Sequence, residues 1–77
     1  MKRTKDISPA FGKVVEKHRL TQKMSMLKLA ELAAVDETYP GKLKRGMRVP
    51  TIDTAHRLAQ ALGIPLWKLI REAESCS

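Results

Sequence analysis

Two short helical segments near the middle of the chain are separated by only three residues. In the first segment Ser25 is suited to cap a helix, and apolar residues then recur at helical spacing as far as Ala33. In the second, Asp36 can cap a helix that ends before Gly46, because glycine tolerates the left-handed conformation that follows many helices. Residues 34–36 therefore predict a tight turn between two short helices, which is the geometry of a helix-turn-helix unit.

The other capping residues predict three further helices. No long alternation of β-branched residues indicates a strand. Helix 1 is expected over Pro9–Thr21 with Ser8 as its cap, helix 4 lies between Thr51 and Gly63, and helix 5 begins at Pro65. The apolar residues expected to face the core from helices 4 and 5 are Ile52, Ala55, Leu58, Ala59, Leu62, Leu66, Leu69, Ile70 and Ala73. This pattern predicts an all-α fold of five helices.

The length of 77 residues allows one small domain with one core, since a chain of this size buries only about three-fifths of the surface that it exposes when unfolded. We expect residues 9–74 to form this domain. Residues 1–8 are expected to be a flexible basic arm, and residues 75–77 a loose C-terminal tail.

The net positive charge is confined to the first two-thirds of the chain. Residues 1–50 contain twelve lysines and arginines against five acids, whereas residues 51–77 contain three of each. A basic region beside a neutral one is typical of a one-sided surface for a polyanion such as nucleic acid. A generally soluble basic domain is the competing interpretation.

Other functional classes find little support in the sequence. We expect a cytoplasmic protein, because there is no apolar segment long enough for a membrane span or a signal peptide, and Cys76 has no partner for an internal disulfide. His18 and His56 lie on different helices, the first expected under helix 5 and the second partly buried. Without metal-ligand spacing or a phosphate-binding glycine loop, we expect no enzyme activity, metal, cofactor or small-molecule ligand.

Several short motifs resemble one known family. They are Phe11-Gly12, Val15 and Arg19 in helix 1, Leu29-Ala30-Glu31 in helix 2, Val35 in the turn, Arg45-Gly46, Pro50-Thr51, and Leu58-Ala59-Gln60-Ala61-Leu62-Gly63. Over about Phe11 to Ile70 the chain resembles the Cro / lambda-repressor / xenobiotic-response-element (XRE) regulators. The segment Asp36-Glu37-Thr38-Tyr39, with Arg48, Pro50 and Thr51, is also similar to the controller proteins of restriction-modification systems.

The resemblance implies a lambda-repressor-like fold in which helices 2 and 3 bind double-stranded DNA and helix 3 enters the major groove. It further implies a sequence-specific transcriptional regulator, expected to be a repressor at an operator. The candidate base-reading residues are Glu37, Thr38, Tyr39, Gly41 and Lys42, and the candidate phosphate contacts are Ser25, Lys28, Lys44, Arg45 and Arg48, with Lys2, Arg3 and Lys5 in the arm. Each has a structural alternative: Tyr39 could pack on the domain, and Lys28 could be a solvated helix charge.

The chain departs from the family pattern at several positions. Met26 stands where glutamine is common in the DNA-binding surface, and Met26 cannot form the hydrogen bonds of that amide. Ala34 replaces the usual turn glycine. Lys44 replaces a glutamate that often pairs with the helix 1 arginine, so Arg19 and Lys44 are both expected to be free for phosphate.

Pro40 allows two alternative starts for helix 3. If Asp36 is the cap, Pro40 is the fourth helical residue and removes the first internal hydrogen bond. If Tyr39 is the cap, Pro40 is the first helical residue, where proline is well tolerated. The later start is favoured, and it leaves Glu37 and Thr38 in an extended turn.

Specific binding by a lone helix-turn-helix usually requires a dimer, and helix 5 is the expected interface. The candidate interface residues are Trp67, Ile70 and Arg71. An exposed Trp67 would suit an interface anchor, and the alternative is that Trp67 closes the core. The competing function is a protein-interaction module, or an antitoxin, whose groove-reading surface has degenerated at Met26, Pro40 and Gly41.

Overall fold

The computed structural model describes residues 7–76, apart from the side chain of Cys76. The arm cations Lys2, Arg3 and Lys5, the Cys76 thiol and residue 77 lie outside the described part of the chain. Five helices follow one another: α1 (Ser8–Thr21), α2 (Met26–Ala33), α3 (Tyr39–Lys44), α4 (Ile52–Leu62) and α5 (Leu66–Cys76). Residues 7–76 contain no strand, and the predicted five-helix, all-α class is confirmed.

The bounds of α2 and α4 follow from single capping residues. The Ser25 hydroxyl accepts a 3.0 Å hydrogen bond from the backbone N–H of Lys28, and Thr51 does the same for Thr54. Ala34 and Gly63, which end the two helices, have φ values of 58° and 72°. The predicted caps are therefore confirmed, and Ala34 occupies the left-handed conformation that the family assigns to glycine.

The two ends of the domain differ from the prediction. Ser8 does not cap α1: Ile7 is the N-cap without a side-chain cap bond, and its carbonyl accepts from the backbone N–H of Phe11 at 2.9 Å. Ser8 is the first helical residue and is buried, so positions 7 and 8 belong to the domain rather than to an arm. At the other end α5 continues to Cys76, beyond the expected domain boundary at residue 74.

All five helices contribute to one apolar core. Its members are Phe11, Val14, Val15, Leu29, Ala33, Leu43, Ala55, Leu58, Ala59, Leu62, Leu69 and Ala73. The inward stripe predicted for helix 4 is wrong at Ile52, which is 81% exposed. Ile52 is the first residue of α4, and the buried residues of this helix begin one turn later, at Ala55. Leu66 and Ile70, also expected inside, are half-buried.

Close contacts fix α3 and α4 relative to their neighbours. A Cβ added to Gly12 would lie 2.3 Å from the carbonyl oxygen of Leu43, so α1 and α3 approach to a distance that only glycine allows. Arg57 of α4 donates through Nε to the carbonyl of Ala33 at 3.1 Å, which satisfies a free carbonyl at the end of α2. These contacts hold the α2–α3 pair on the α1–α4 frame.

None of the helices within residues 7–76 has the length and apolar character needed to cross a membrane.

Candidate nucleic-acid interface

Helix α3 begins later than an Asp36 cap would place it. Its N-cap is Thr38, Tyr39 is the first helical residue, and the first helical bond runs from the backbone N–H of Lys42 to the carbonyl of Thr38 at 3.2 Å. Pro40 is thus the second helical residue, where its missing N–H is not needed. The late start is confirmed, but the cap lies one residue before the predicted Tyr39, and Thr38, with φ of −86° and ψ of −9°, is not in the expected extended conformation.

Asp36 organises the turn before α3 instead of capping the helix. Its carboxylate accepts a 2.9 Å hydrogen bond from the backbone N–H of Thr38 and a second bond from the Thr38 hydroxyl. These hydrogen bonds lower the pKa of Asp36, with a smaller contribution from the charge of Lys42. The alternative that Asp36 is the helix cap is therefore wrong, although the residue fixes the position of Thr38.

Helix α3 is anchored to the core through part of its length. Pro40 and Leu43 are buried, and the half-buried Tyr39 packs against the core. Burial raises the pKa of Tyr39, and the charges of Arg48 and Arg57 oppose that rise. The half-burial of Tyr39 favours packing on the domain over contact with a base.

The remaining predicted residues lie on the N-terminal end of α2, the turn, α3 and the loop that follows. Ser25, Lys28, Glu37, Thr38, Lys44, Arg45 and Arg48 are exposed, whereas Met26, Gly41 and Lys42 are half-buried. A Cβ added to Gly41 would lie 3.5 Å from Nη1 of Arg45 and 4.0 Å from Sδ of Met26. The start of α2 and the middle of α3 therefore meet at Gly41, and the Arg45 guanidinium lies beside this contact.

The expectation that Arg19 and Lys44 are free is wrong, because Glu16 of α1 holds both. The Arg19 guanidinium donates to both Glu16 oxygens, at 3.0 and 2.7 Å, and to the carbonyl of Met24 at 2.6 Å. The Lys44 Nζ lies 3.6 Å from Oε2 of Glu16. The hydrogen bond from Arg19 lowers the pKa of Glu16. Glu16 was missed because its role depends on the crossing of α1 and α3, although its spacing from Arg19 suits a helical ion pair.

The three predicted dimer-interface residues lie on two surfaces. Ile70 lines an apolar cleft with Ile52 and Leu66, whereas Trp67 and Arg71 line a second, shallow cleft. The alternative that Trp67 closes the core is wrong, since Trp67 is 64% exposed.

The two histidines have different surroundings. His18 Nε2 lies 2.9 Å from Oε1 of Glu72 on α5. This contact confirms the expected position of His18 under helix 5. His56 is exposed, so the prediction of partial burial is wrong. Among the described residues no three His, Cys, Asp or Glu side chains are grouped as metal ligands would be.

Taken together, the α2–turn–α3 geometry and the cations around α3 define a helix-turn-helix domain with a basic exposed face. No known family profile matches the sequence, and no curated protein sequence matches it. Several solved structures do match this chain. The restriction-modification controller protein C.AhdI from Aeromonas hydrophila is 31% identical over 83% of this chain and 96% of its own, with a TM-score of 0.76. The chain belongs to the XRE family of helix-turn-helix regulators.

More distant structures share the fold. The clp gene regulator ClgR from Corynebacterium glutamicum is 22% identical over 95% of both chains, with a TM-score of 0.87. The restriction-modification controller protein C.Esp1396I is 21% identical over 94% of this chain and 95% of its own, with a TM-score of 0.76. These similarities support the five-helix architecture.

Proposed function

We propose that the protein is a transcriptional regulator that binds a double-stranded DNA operator as a homodimer, with repression as the expected outcome and no catalytic role. The observation that carries the proposal is the set of exposed cations beside α3. Lys28 lies in the first turn of α2, Arg45 lies beside Gly41 at the end of α3, and the charge of Arg48 acts on Tyr39. A helix inserted into the major groove would bring such cations to the flanking phosphates.

Base recognition falls to few side chains, because Tyr39 and Pro40 pack toward the core. Glu37 and Lys42 are the main candidates: a carboxylate accepts from the cytosine amino group, and a lysine donates to guanine O6 and N7. Thr38 is less available, since its hydroxyl already bonds to Asp36. With so small a set of readers, the shape of the DNA is expected to supply part of the sequence preference.

The homodimer is proposed to form through the apolar cleft that Ile52, Leu66 and Ile70 line. Among residues 7–76, no charged residue lines this cleft. A second copy of a chain with net charge +7 meets least repulsion at such an uncharged surface, and exposed apolar side chains there gain from burial. The cleft also includes Pro50 and Thr51, which follow the basic loop after α3. Half-sites about one DNA turn apart require a two-fold axis that sets both α3 helices on the same side of the dimer, and we propose that the axis passes near this cleft.

The test is the salt dependence of duplex binding, followed by selection from random sequences. The logarithm of the binding constant should fall linearly with the logarithm of salt concentration, with a slope of about −0.9 for each phosphate neutralised. Lys28→Gln and Arg45→Gln should each make that slope less steep by about one. Lys13→Gln, an exposed lysine of α1 outside the proposed interface, is the matched control.

Selection should recover an inverted repeat, which would support both the operator and the dimer. If the protein ignored duplex DNA of every sequence at low salt, the proposal would fail, and the protein-interaction or antitoxin alternative would take its place.

A further inference from the structure

The molecule has a second basic surface, separate from the proposed DNA-binding face. Helix α5 packs against α1 and α4, whereas the DNA-facing residues lie on α2, α3 and the loop that follows. On the outer side of α5, the shallow cleft introduced above is lined by Lys17, Trp67, Lys68, Arg71, Glu72 and Ser75. We call this set the Trp67 surface.

The Trp67 surface combines one large exposed ring with unneutralised cations. Trp67 is 64% exposed, and no ion pair in the described part of the chain includes Lys68 or Arg71. Glu72 is already engaged, at 3.0 Å from Lys17 Nζ and 2.9 Å from His18 Nε2. Glu74, elsewhere on α5, also has an interaction of its own. The surface therefore presents an apolar ring and excess positive charge.

A second copy of the chain does not fit this surface. A two-fold dimer brings the same patch of both copies together, so the excess positive charge of this surface would face the same excess on the partner. Like charges facing each other in an interface oppose association. The uncharged cleft at Ile52 has no such repulsion.

Nucleic acid also fits less well than protein. A nucleic-acid strand is typically held by a groove of several cations with successive aromatic rings, whereas this surface offers one ring, and only Lys68 and Arg71 among its cations take part in no ion pair within the described residues. A protein segment can instead place an apolar side chain on the Trp67 ring and its carboxylates on Lys68 and Arg71, while the Glu72 pairs remain intact. Exposed tryptophan and arginine together are typical of the residues that dominate binding energy in protein interfaces.

We propose that the Trp67 surface is a docking site for an acidic, partly apolar segment of another protein, and that it is accessible while α3 faces DNA. The regulator thus has one basic face for DNA and another for a protein partner. This inference does not depend on DNA binding.

The experiment uses Trp67 as its own reporter, because it is the only tryptophan of the sequence. The full chain is titrated with a short synthetic peptide of glutamates interspersed with leucines, and the emission of Trp67 is recorded. Docking should shift the emission to shorter wavelength as the ring leaves water. The double variant Lys68→Glu/Arg71→Glu should weaken binding of the peptide at least about tenfold.

The matched control is Lys42→Glu/Arg45→Glu, which has the same net charge but alters the proposed DNA-binding face. It should leave peptide binding within about twofold of the unaltered chain while reducing binding to duplex DNA. Circular dichroism of both double variants establishes that the helices are retained.

Three results would overturn the proposal. The first is equal loss of peptide binding in both double variants, which would mean attraction to net charge alone. The second is a shift in Trp67 emission that follows protein concentration without peptide, which would assign the surface to a second copy. The third is a shift with a single-stranded oligonucleotide but none with the peptide, which would assign it to nucleic acid.

Discussion

At the scale of single residues, Glu16 has the largest set of polar contacts near the proposed interface. It binds the Arg19 guanidinium through both oxygens and reaches Lys44 on α3, while Arg19 also binds the carbonyl of Met24 before α2. The Glu16–Arg19 pair therefore connects α1 to α3 and to the segment that precedes α2. The side chains of Glu16 and Arg19 are only 17% and 11% exposed, so water screens this pair less than a surface ion pair.

Glu16→Gln should lower the free energy of unfolding by about 1 to 2 kcal/mol at neutral pH, since charge-assisted hydrogen bonds are lost. The pKa of Glu16 is depressed in the folded state, so its contribution is complete above the ordinary value of 4.5 and is lost as the pH falls below it. Urea unfolding at neutral pH and below 4.5 measures the effect, which should shrink at the lower pH. Glu31→Gln, on an exposed position of α2, is the control; an equal loss there would contradict the assignment.

Gly12→Ala should destabilise the domain by about 2 kcal/mol or more, because the new Cβ would clash with the Leu43 carbonyl, which is backbone and cannot move without shifting α3. Gly41→Ala is the matched variant. Its Cβ would meet Arg45 and Met26 at ordinary contact distances, and alanine favours a helix by about 0.5 to 1 kcal/mol over glycine. Thermal unfolding should thus move in opposite directions for the two variants; destabilisation of the same size in both would mean that the close approach of α1 and α3 is not the cause.

At the scale of helices, the sequence predicts well those features that a single residue determines. Ser25, Thr51 and Gly63 cap or end their helices as expected, because each cap is a local bond or a local backbone conformation. Helix α1 is different: Ser8 has the type of a cap but is buried, so packing decides against its local preference. The exposure of Ile52 likewise depends on where the core ends, which apolar periodicity alone does not specify.

The candidate site likewise has some features that a single residue determines and others that depend on how the helices pack. The late start of α3 follows from the chemistry of Pro40 and was predictable to within one residue. The role of Glu16 and the separation of Ile70 from Trp67 depend on how helices cross, and such non-local geometry is not encoded in spacing along the chain.

Ala34→Gly should stabilise the domain by about 1 kcal/mol, because Ala34 holds a left-handed conformation with φ of 58° that glycine adopts without steric cost. Urea unfolding measures the change. Ala61→Gly, within α4, is the control and should cost about 1 kcal/mol by weakening a helix interior. If both variants lost stability equally, the turn between α2 and α3 would not be strained at Ala34.

At the scale of the whole molecule, two surfaces compete for the role of dimer interface, and their charges distinguish them. Within the described part of the chain the cleft at Ile52 has no charged lining residue, whereas the Trp67 surface contains Lys17, Lys68 and Arg71. If both faces function as proposed, one molecule can bind its own copy, DNA and an acidic partner without overlap. The uncharged cleft is then the interface that a sedimentation experiment should detect.

Ile52→Glu should shift the protein from dimer to monomer at micromolar concentration, because it places two like charges across the proposed two-fold axis. The monomer should remain folded, since Ile52 is 81% exposed and contributes little to the core. Trp67→Ala, the matched truncation on the other surface, should leave sedimentation unchanged. If Trp67→Ala dissociated the dimer and Ile52→Glu did not, the original prediction of a Trp67 interface would be correct. Since paired half-sites bind DNA far more tightly than one, Ile52→Glu should also weaken operator binding while single half-site binding persists.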